Sequence, residues 1–472
     1  MPESFAPPRA PDLAPLSYGR ARTKGLTAKV LVIPYGWDVG APYEEAYAPV
    51  LDQVRELLDG QGMEAEFMDM VGHGEGHRPI DRIRVENPDL IVCLGIGYFQ
   101  ASDVIATIWP FRREIPIALW AYPPYEASGK RWNQTAFCAG YVTKGALEEL
   151  GVPFFFLREH ADSPETLERL RRYSRVAVAK RRLELTRVGM FGYVSWGMYS
   201  AMADPQAILR HFGCEVEIYD QSSLIEEMGT IGEQEALEYA RQEVSGATLA
   251  ASVNDSHLIS LGRMTLALRG FVVRDELDAV TVKCHTELSH DYGCSACVPL
   301  SLLGDELDTM CESDIPQVIT HLAQRYLTGL PPVHADVQDA RPGSGIACGG
   351  CGLSPFCLSP KAVLAPWSFH YGGLQVISGW KRGPVTLARL GRLPESQGFR
   401  MHIARGTIND EDAIPGELYG NETVAGAWVE LEGDQEEFLD RAISNHYAIV
   451  WGDCVDDLKE LCATFDVTVM ET

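Results

Sequence analysis

Several acidic and imidazole side chains in the second half of the chain have the chemistry of ligands for a divalent cation. They are Glu287, the nearby pair Glu312 and Asp314, and His446. Two carboxylates and one imidazole suit a hard or borderline ion such as Mn²⁺ and leave coordination positions open for substrate oxygens. Because these residues lie far apart in the sequence, their spacing alone does not identify a site.

Thiols form a second set of candidate ligands. Cys348, Cys351 and Cys357 have the spacing of a zinc or iron–sulfur site that takes a fourth ligand from elsewhere. Cys294 and Cys297 form another Cys-x₂-Cys pair, and the two pairs together would make a four-thiolate site. The alternative is that these cysteines only pack, since 12 cysteines in a long chain without a secretion signal are expected to be reduced.

The elements that must position these residues follow two different patterns. From residue 29, short apolar strands alternate with amphipathic helices, which predicts mainly parallel sheets covered on both faces. The acidic stretch 226–241 predicts one exposed helix. Beyond residue 341 glycine is frequent and strand patterns dominate. The predicted fold class is α/β, with two doubly wound α/β domains followed by a β-rich, barrel-like C-terminal domain.

The predicted domains divide the candidate ligands between them. Residues 1–15 are predicted to be a disordered lead-in, 16–185 an N-terminal α/β domain, 186–340 a second α/β domain with the acidic ligands, and 341–472 the β-rich domain that carries His446.

Composition restricts the function classes. The chain of 472 residues has a net charge of −26, from 66 acidic and 40 basic side chains, which argues against a broad nucleic-acid-binding face. The longest apolar runs are far shorter than the ~20 residues of a membrane-spanning helix. The proline-rich N-terminus lacks the layout of a signal peptide. These features predict a cytoplasmic protein without nucleic-acid or membrane partners.

The motifs around the candidate ligands resemble those of a known enzyme superfamily. Their order and rough spacing are similar to the L-fucose isomerase and L-arabinose isomerase superfamily, and especially to its shorter bacterial fucose-isomerase-like branch. The blocks that carry the resemblance are Val282 to Glu287, Asp291 to Cys297, Leu300 to Leu303, Cys311 to Ile315, Tyr326 to Gly329, Ala335 to Val337, Gly383 to Leu390, and Asn445 with His446.

The resemblance implies a metal-dependent aldose–ketose isomerase that acts on a small sugar, L-fucose-like or a pentose, through an enediol. It implies Mn²⁺ or another divalent cation and a homo-oligomer, either a trimer or a hexamer. The implied ligands are Glu287, Asp314 and His446, with Glu312 as the alternative to Asp314, and the implied proton-transfer residues are Glu287 and Asp314. Expected substrate-binding residues are Asn445, His285, Lys283 and Trp196.

One departure keeps other functions open. Where the superfamily carries His-Cys-Gly, this chain has Gly350-Cys351-Gly352, so an imidazole is lost or moved. The first alternative is an enzyme for a modified or acidic sugar, whose anionic group would bind Lys283, Arg382 or Arg389. The second is a non-catalytic sugar-binding or regulatory protein. The third is a thiolate metal or redox protein that uses Cys348, Cys351 and Cys357.

Overall fold

The computed structural model describes residues 27–37, 42–343, 345–350, 352–367, 372–418 and 421–472. Its contacts divide the chain into two compact units. One comprises residues 25–181 with 457–466, and the other comprises 182–456 with 467–472. The predicted lead-in at residues 1–15 lies outside the described residues.

The first unit is built on a parallel sheet of five strands in the order β2-β1-β3-β4-β7. All six residues of the central strand β3 are buried, as expected for a strand covered on both faces. The strands are β1 (Ala28–Tyr35), β2 (Met63–Phe67), β3 (Leu90–Gly95), β4 (Ile117–Ala121), β5 (Tyr125–Ala127), β6 (Lys130–Trp132) and β7 (Phe155–Leu157), and the helices are α1 (Tyr43–Ala46), α2 (Ala48–Leu58), α3 (Ile80–Glu86), α4 (Ala101–Ile108), α5 (Ala136–Glu149) and α6 (Pro164–Glu184).

The second unit begins with a parallel four-stranded sheet in the order β12-β11-β8-β9. The strand order reverses between β8 and β11, and ligands of open α/β sheets bind outside the carboxyl ends of strands at such a point. The strands are β8 (Arg187–Phe191), β9 (Glu215–Tyr219), β10 (Thr248–Leu249), β11 (Ala279–Val282) and β12 (Asp308–Cys311), and the helices are α7 (Pro205–Phe212), α8 (Gln221–Thr230), α9 (Glu233–Glu243), α10 (Asp255–Arg274), α11 (Cys297–Gly304) and α12 (Ile315–Thr328).

The same unit continues into a sheet of eight strands in the order β19-β20-β14-β13-β21-β17-β18-β22. Strand β20 also pairs with β18, so the six strands from β20 to β18 close into a barrel. The elements of this unit are β13 (Val333–Arg341), β14 (Gly345–Gly350), β15 (Val363–Pro366), β16 (Leu374–Ile377), β17 (Gly383–Arg392), β18 (Phe399–Ile408), β19 (Ile414–Leu418), β20 (Asn421–Leu431), α13 (Gln435–Arg441), β21 (His446–Trp451) and β22 (Thr468–Glu471). Most of helix α14 (Val455–Thr464) belongs to the first unit.

Local sequence signals set the ends of helix α12, which follows the acidic motif. The Asp314 side chain caps its N-terminus by accepting a hydrogen bond from the Gln317 amide at 3.0 Å, and Pro316 occupies the first turn. Gly329 ends the helix with φ 74°, a left-handed conformation that costs glycine little.

The predicted fold class is confirmed, with parallel α/β sheets followed by a β-rich barrel. The single helix predicted over 226–241 is wrong, because α8 and α9 are separate and the chain is extended at Ile231 and Gly232. The predicted boundary near residue 340 stays a prediction. In the described part of the chain, no helix combines the length and hydrophobicity needed to span a membrane.

Candidate metal and catalytic site

His446, the first residue of β21, is surrounded by three carboxylates. Its Nδ1 lies 2.7 Å from Asp314 Oδ2, and its Nε2 lies 2.9 Å from Glu312 Oε2 and 3.4 Å from Asp336 Oδ1. The imidazole is 1% exposed, as expected for a group with a defined task in the interior. The structure therefore brings together three residues that the sequence predicts as ligands, with Asp336 as a fourth member.

The two ring nitrogens of His446 have different surroundings. Nδ1 forms a hydrogen bond with Asp314, which fixes the orientation of the ring. Nε2 is buried, and although carboxylate oxygens are near, no described residue forms a hydrogen bond of suitable geometry with it. A histidine held by a carboxylate at one nitrogen, with the other directed at acidic oxygens, is the usual arrangement of a metal-ligating histidine.

The carboxylates govern the charge of His446 in the absence of a cation. Burial lowers the pKa of the imidazole, but the hydrogen bond with Asp314 and the nearby carboxylates of Glu312 and Asp336 outweigh burial and raise the pKa to about 10. The imidazolium then balances the negative charge of its neighbours.

Asp314 has both carboxylate oxygens engaged within the protein. Oδ1 caps helix α12, while Oδ2 accepts hydrogen bonds from Arg389 Nη1 at 2.8 Å and from His446. Burial alone would raise the pKa of Asp314, but the guanidinium of Arg389 and the imidazole of His446 hold it well below its ordinary value. Asp314 is thus ionised and serves as an anchor for the helix, the guanidinium and the imidazole.

Arg389, on β17, extends this anchor to a neighbouring loop. It is completely buried and donates to Gln317 Oε1 at 3.1 Å and to the Ser200 carbonyl at 2.7 Å, as well as to Asp314. The ion pair therefore ties together β17, the start of α12 and the loop that follows β8.

Glu312 reaches His446 through a strained turn. Glu312 and Ser313 have φ values of 65° and 57°, in the left-handed region that non-glycine residues rarely adopt. Both residues are buried between the end of β12 and the start of α12. Backbone strain of this kind persists where the surrounding structure imposes it and is concentrated at functional sites.

Strand β13 supplies two residues that the sequence analysis did not single out. His334 and Asp336 are two residues apart on one strand and so share a face, and Asp336 is the register partner of His446 on β21. The nitrogen and oxygen ligand atoms of His334, Asp336 and His446 lie within 4.8 Å of one another. The spacing of His334 and Asp336, two residues apart as on one face of a strand, was the available signal.

The segment after β11 carries the remaining acidic candidate. Glu287 is half-exposed, its Oε1 accepts from Lys283 Nζ at 2.7 Å, and its Oε2 accepts from the Thr286 amide at 3.1 Å. The hydrogen bond from Lys283 is the main reason that the pKa of Glu287 is lowered. No ligand group among the described residues includes Glu287, and its predicted role as a metal ligand stays a prediction.

The other predicted substrate contacts lie on the same side of this unit. His285 stacks on Trp196, with ring centroids 4.2 Å apart and planes inclined by 13°, and the indole remains 55% exposed. His285 also shares a ligand group with Glu312. Asn445 is exposed and donates from Nδ2 to Asp336. An exposed indole beside a carboxylate cluster is suited to a sugar, whose apolar face packs on aromatic rings.

The predicted cysteine site is only partly described. Cys348 is completely buried in β14, and burial raises the pKa of its thiol. Cys357 is half-buried and has its pKa raised to about 12, chiefly by burial. Cys351 lies outside the described residues. None of the ligand groups formed by described residues contains Cys348 or Cys357.

Comparison with known proteins finds sugar isomerases among the proteins that this chain resembles. The sequence model of the family described as "L-fucose isomerase, C-terminal domain" matches residues 371–472. A sulfoquinovose isomerase of Alkalicoccus urumqiensis is 25% identical over 393 residues, which cover 81% of this chain and 86% of that protein. Sulfoquinovose isomerases of Priestia aryabhattai and Priestia megaterium are each 23% identical over 396 residues, covering 81% of this chain and 85% of each relative.

These matches run through both units and through the strands that carry His446 and Asp336. They agree with the superfamily that the sequence motifs predict, and with a sugar isomerase as its enzyme class. Together, the family-model match and the similar isomerases support a fucose isomerase-like superfamily for this chain.

Proposed function

We propose that the protein is a metal-dependent aldose–ketose isomerase. The observation that carries the proposal is the orientation of His446, held by Asp314 at Nδ1 and directed through Nε2 at the carboxylates of Glu312 and Asp336. This donor set of carboxylate oxygens and imidazole nitrogens fits a hard or borderline divalent cation. The buried Nε2 without a hydrogen bond among the described residues supports the same assignment.

Glu312, Asp336 and His446 would hold the cation in this proposal, with His334 beside them. Asp314 is assigned to orienting His446, because both of its oxygens are already used inside the protein. The sequence motif left Glu312 and Asp314 as alternative metal ligands, and this proposal selects Glu312. A bound divalent cation would supply electrostatic stabilisation of the negative charge that develops on two neighbouring sugar oxygens.

Glu287 is assigned to proton transfer. Isomerisation removes a proton from C2 of the open-chain aldose and returns a proton to C1, so the enzyme needs an ionised carboxylate within reach of both carbons. Lys283 keeps Glu287 ionised, and half of its side chain is accessible. Trp196, stacked over His285, would pack against the sugar and limit the access of water.

The relatives make a sulfonated aldose one candidate substrate, beside neutral L-fucose-like sugars and pentoses. Sulfoquinovose carries an anionic sulfonate, which would need a cationic partner. Lys283 and Arg389 already pair with Glu287 and Asp314, whereas Arg382 is exposed at the start of β17. A comparison of neutral and sulfonated aldoses therefore decides between the two substrate classes.

The test is incubation of the Mn²⁺-loaded protein in D₂O with L-fucose, a set of pentoses, and sulfoquinovose. We expect deuterium at C2 of one recovered aldose, because the proton removed by Glu287 exchanges with solvent. Glu287→Gln should lower the exchange rate by about 10²–10⁴-fold, the usual contribution of an acid–base group. Sugar binding without exchange in any member of the panel would instead support a regulatory protein.

The raised pKa of His446 gives a further prediction about pH. A cation binds the neutral imidazole, so binding must release the proton that His446 carries below about pH 10. The apparent affinity for Mn²⁺ should therefore increase by about tenfold per pH unit between about pH 6 and 8. Calorimetry in two buffers of different ionisation enthalpy measures the released proton, and an affinity that does not change over this range would contradict the assignment.

Manganese as the natural ion, a cytoplasmic location and a trimeric or hexameric assembly remain predictions from the sequence. Metal analysis of the purified protein would identify the natural ion, and the mass of the protein in solution would give its oligomeric state.

A further inference from the structure

Two buried thiols lie at the carboxyl ends of neighbouring strands, beside the proposed isomerase site. Cys311 is the last residue of β12 and pairs in register with Val282, the last residue of β11, while Cys284 follows two residues later. Cys284 and Cys311 are 2% and 0% exposed. Their thiols are hydrogen-bonded to each other, and that of Cys284 also interacts with His285.

The isomerase proposal gives neither thiol a role, although each thiol belongs to a group of potential ligands. The sulfur of Cys284, a nitrogen of His285 and an oxygen of Glu312 lie within 4.8 Å of one another. The sulfur of Cys311 lies within the same distance of Glu312 and His334. Glu312 is common to both groups and also contacts His446, so it stands between a sulfur-containing and an oxygen-rich cluster.

The dimensions are close to those of a tetrahedral metal site. With Zn–S bonds of about 2.3 Å and Zn–N or Zn–O bonds of about 2.0–2.2 Å, ligand atoms around tetrahedral zinc are about 3.5 Å apart. Within each of the two groups, a spread of at most 4.8 Å thus needs side-chain movements of about 1 Å, and Glu312 joins the group that contains His285 to the group that contains Cys311. Thiolate ligands select borderline and soft ions, whereas carboxylates select hard ones such as Mn²⁺ and Mg²⁺.

We propose that Cys284, His285, Cys311 and Glu312 form a second cation site, selective for a thiophilic divalent ion such as Zn²⁺. The cation would replace the thiol protons, which leave to solvent, and no oxidation is involved. Because Glu312 serves both clusters, occupation of this site withdraws a ligand from the isomerase cation. The two sites are therefore expected to exclude each other.

The route to the site passes His285, which is 7% exposed beneath the accessible ring of Trp196. Trp196 has φ 46° in the loop after β8, and a rotation of its side chain away from His285 would expose the imidazole to solvent. An ion can thus reach the thiols without unfolding of either strand.

Titration of the reduced full-length protein with Co²⁺ tests the inference, since cobalt bound to thiolates gives a sulfur-to-metal charge-transfer absorption in the near ultraviolet. One equivalent should produce this band, and Cys284→Ser and Cys311→Ser should each weaken it by about half or more. Cys348→Ser, which changes a buried cysteine outside the ligand groups of the described residues, is the matched control and should retain the full band.

If the serine variants do not fold, the cobalt titration of the wild-type protein alone tests the proposed second site. Absence of the band in wild-type protein whose thiols are shown to be reduced would overturn the proposal, as would an undiminished band in a folded Cys284→Ser variant. His285→Ala, whose change lies outside both strands, should retain a band of lower affinity.

The regulatory consequence rests on the proposed isomerase function and is measured separately. Zn²⁺ should inhibit the Mn²⁺-supported exchange at C2, and Cys284→Ser should raise the inhibitory Zn²⁺ concentration by at least about tenfold, since a lost ligand of this kind costs more than 1.4 kcal/mol. Glu287→Gln should lose the exchange and keep the cobalt band. If exchange is absent in wild-type protein while the band is present, the isomerase proposal fails and the second site stands.

Discussion

Replacing Glu312 with glutamine is expected to lower kcat/KM for the aldose by about 10³-fold and to abolish tight binding of Mn²⁺. The amide keeps the size of the side chain but removes the charge that faces His446 Nε2 at 2.9 Å. A bound cation contributes several kcal/mol to the stabilisation of the transition state, and about 4 kcal/mol corresponds to three factors of ten in rate. Steady-state kinetics and calorimetric titration with Mn²⁺ measure the two effects.

The matched control is Glu226→Gln, an identical change at an exposed position of helix α8. It should leave both kcat/KM and Mn²⁺ affinity within a factor of two of the wild-type values. Near-normal turnover and Mn²⁺ affinity in Glu312→Gln would remove Glu312 from the ligand set and return Asp314 to it.

Replacing Arg389 with methionine is expected to destabilise the second unit by about 3–5 kcal/mol, the usual cost of removing one partner from a buried ion pair. The change leaves the completely buried carboxylate of Asp314 without its guanidinium and breaks the bond to the Ser200 carbonyl. Chemical denaturation followed by circular dichroism measures the free energy of unfolding. A loss below about 1 kcal/mol would contradict the anchoring role.

The control for this experiment is Arg241→Met, which removes an exposed guanidinium 2.8 Å from Asp255. Exposed ion pairs contribute about 0–1 kcal/mol, so this variant should unfold at nearly the wild-type denaturant concentration. The difference between the two variants isolates the effect of burial on otherwise similar arginine–aspartate pairs.

The Arg389 variant also bears on the pH dependence of stability. In the wild-type protein, the depressed pKa of Asp314 contributes stability that is present above the ordinary carboxyl pKa and is lost as the pH falls through the lower folded value. Without Arg389 the folded pKa rises toward the ordinary value, so the variant should unfold at a higher pH than the wild type during acidification.

Local rules predicted the elements that present the site. The order of strands and helices in the parallel sheets follows from apolar periodicity, and Asp314 with Pro316 marks the start of α12 by ordinary capping chemistry. The break at Ile231 and Gly232 was missed because acidic residues lie on both sides of it, although Gly229 and Gly232 were available signals.

The residues that form the site were harder to predict from the sequence than the fold of the protein. Asp314 and His446 came from the order of superfamily motifs, and no local rule places them 2.7 Å apart. Asp336 was missed because its proximity to His446 depends on the register between β13 and β21, which the barrel imposes. The engagement of Asp314 by Arg389 equally depends on tertiary packing, so the sequence left Glu312 and Asp314 as alternatives.

The pairing of β13 with β21 has a consequence for biosynthesis. His446 is the register partner of Asp336 but leaves the ribosome 110 residues later, after β14 to β20 have been made. A nascent chain that ends before residue 446 holds Glu312, His334 and Asp336 without the imidazole of His446. Assembly of the complete ligand group of the isomerase cation is thus expected to await the pairing of β21 with β13, late in synthesis.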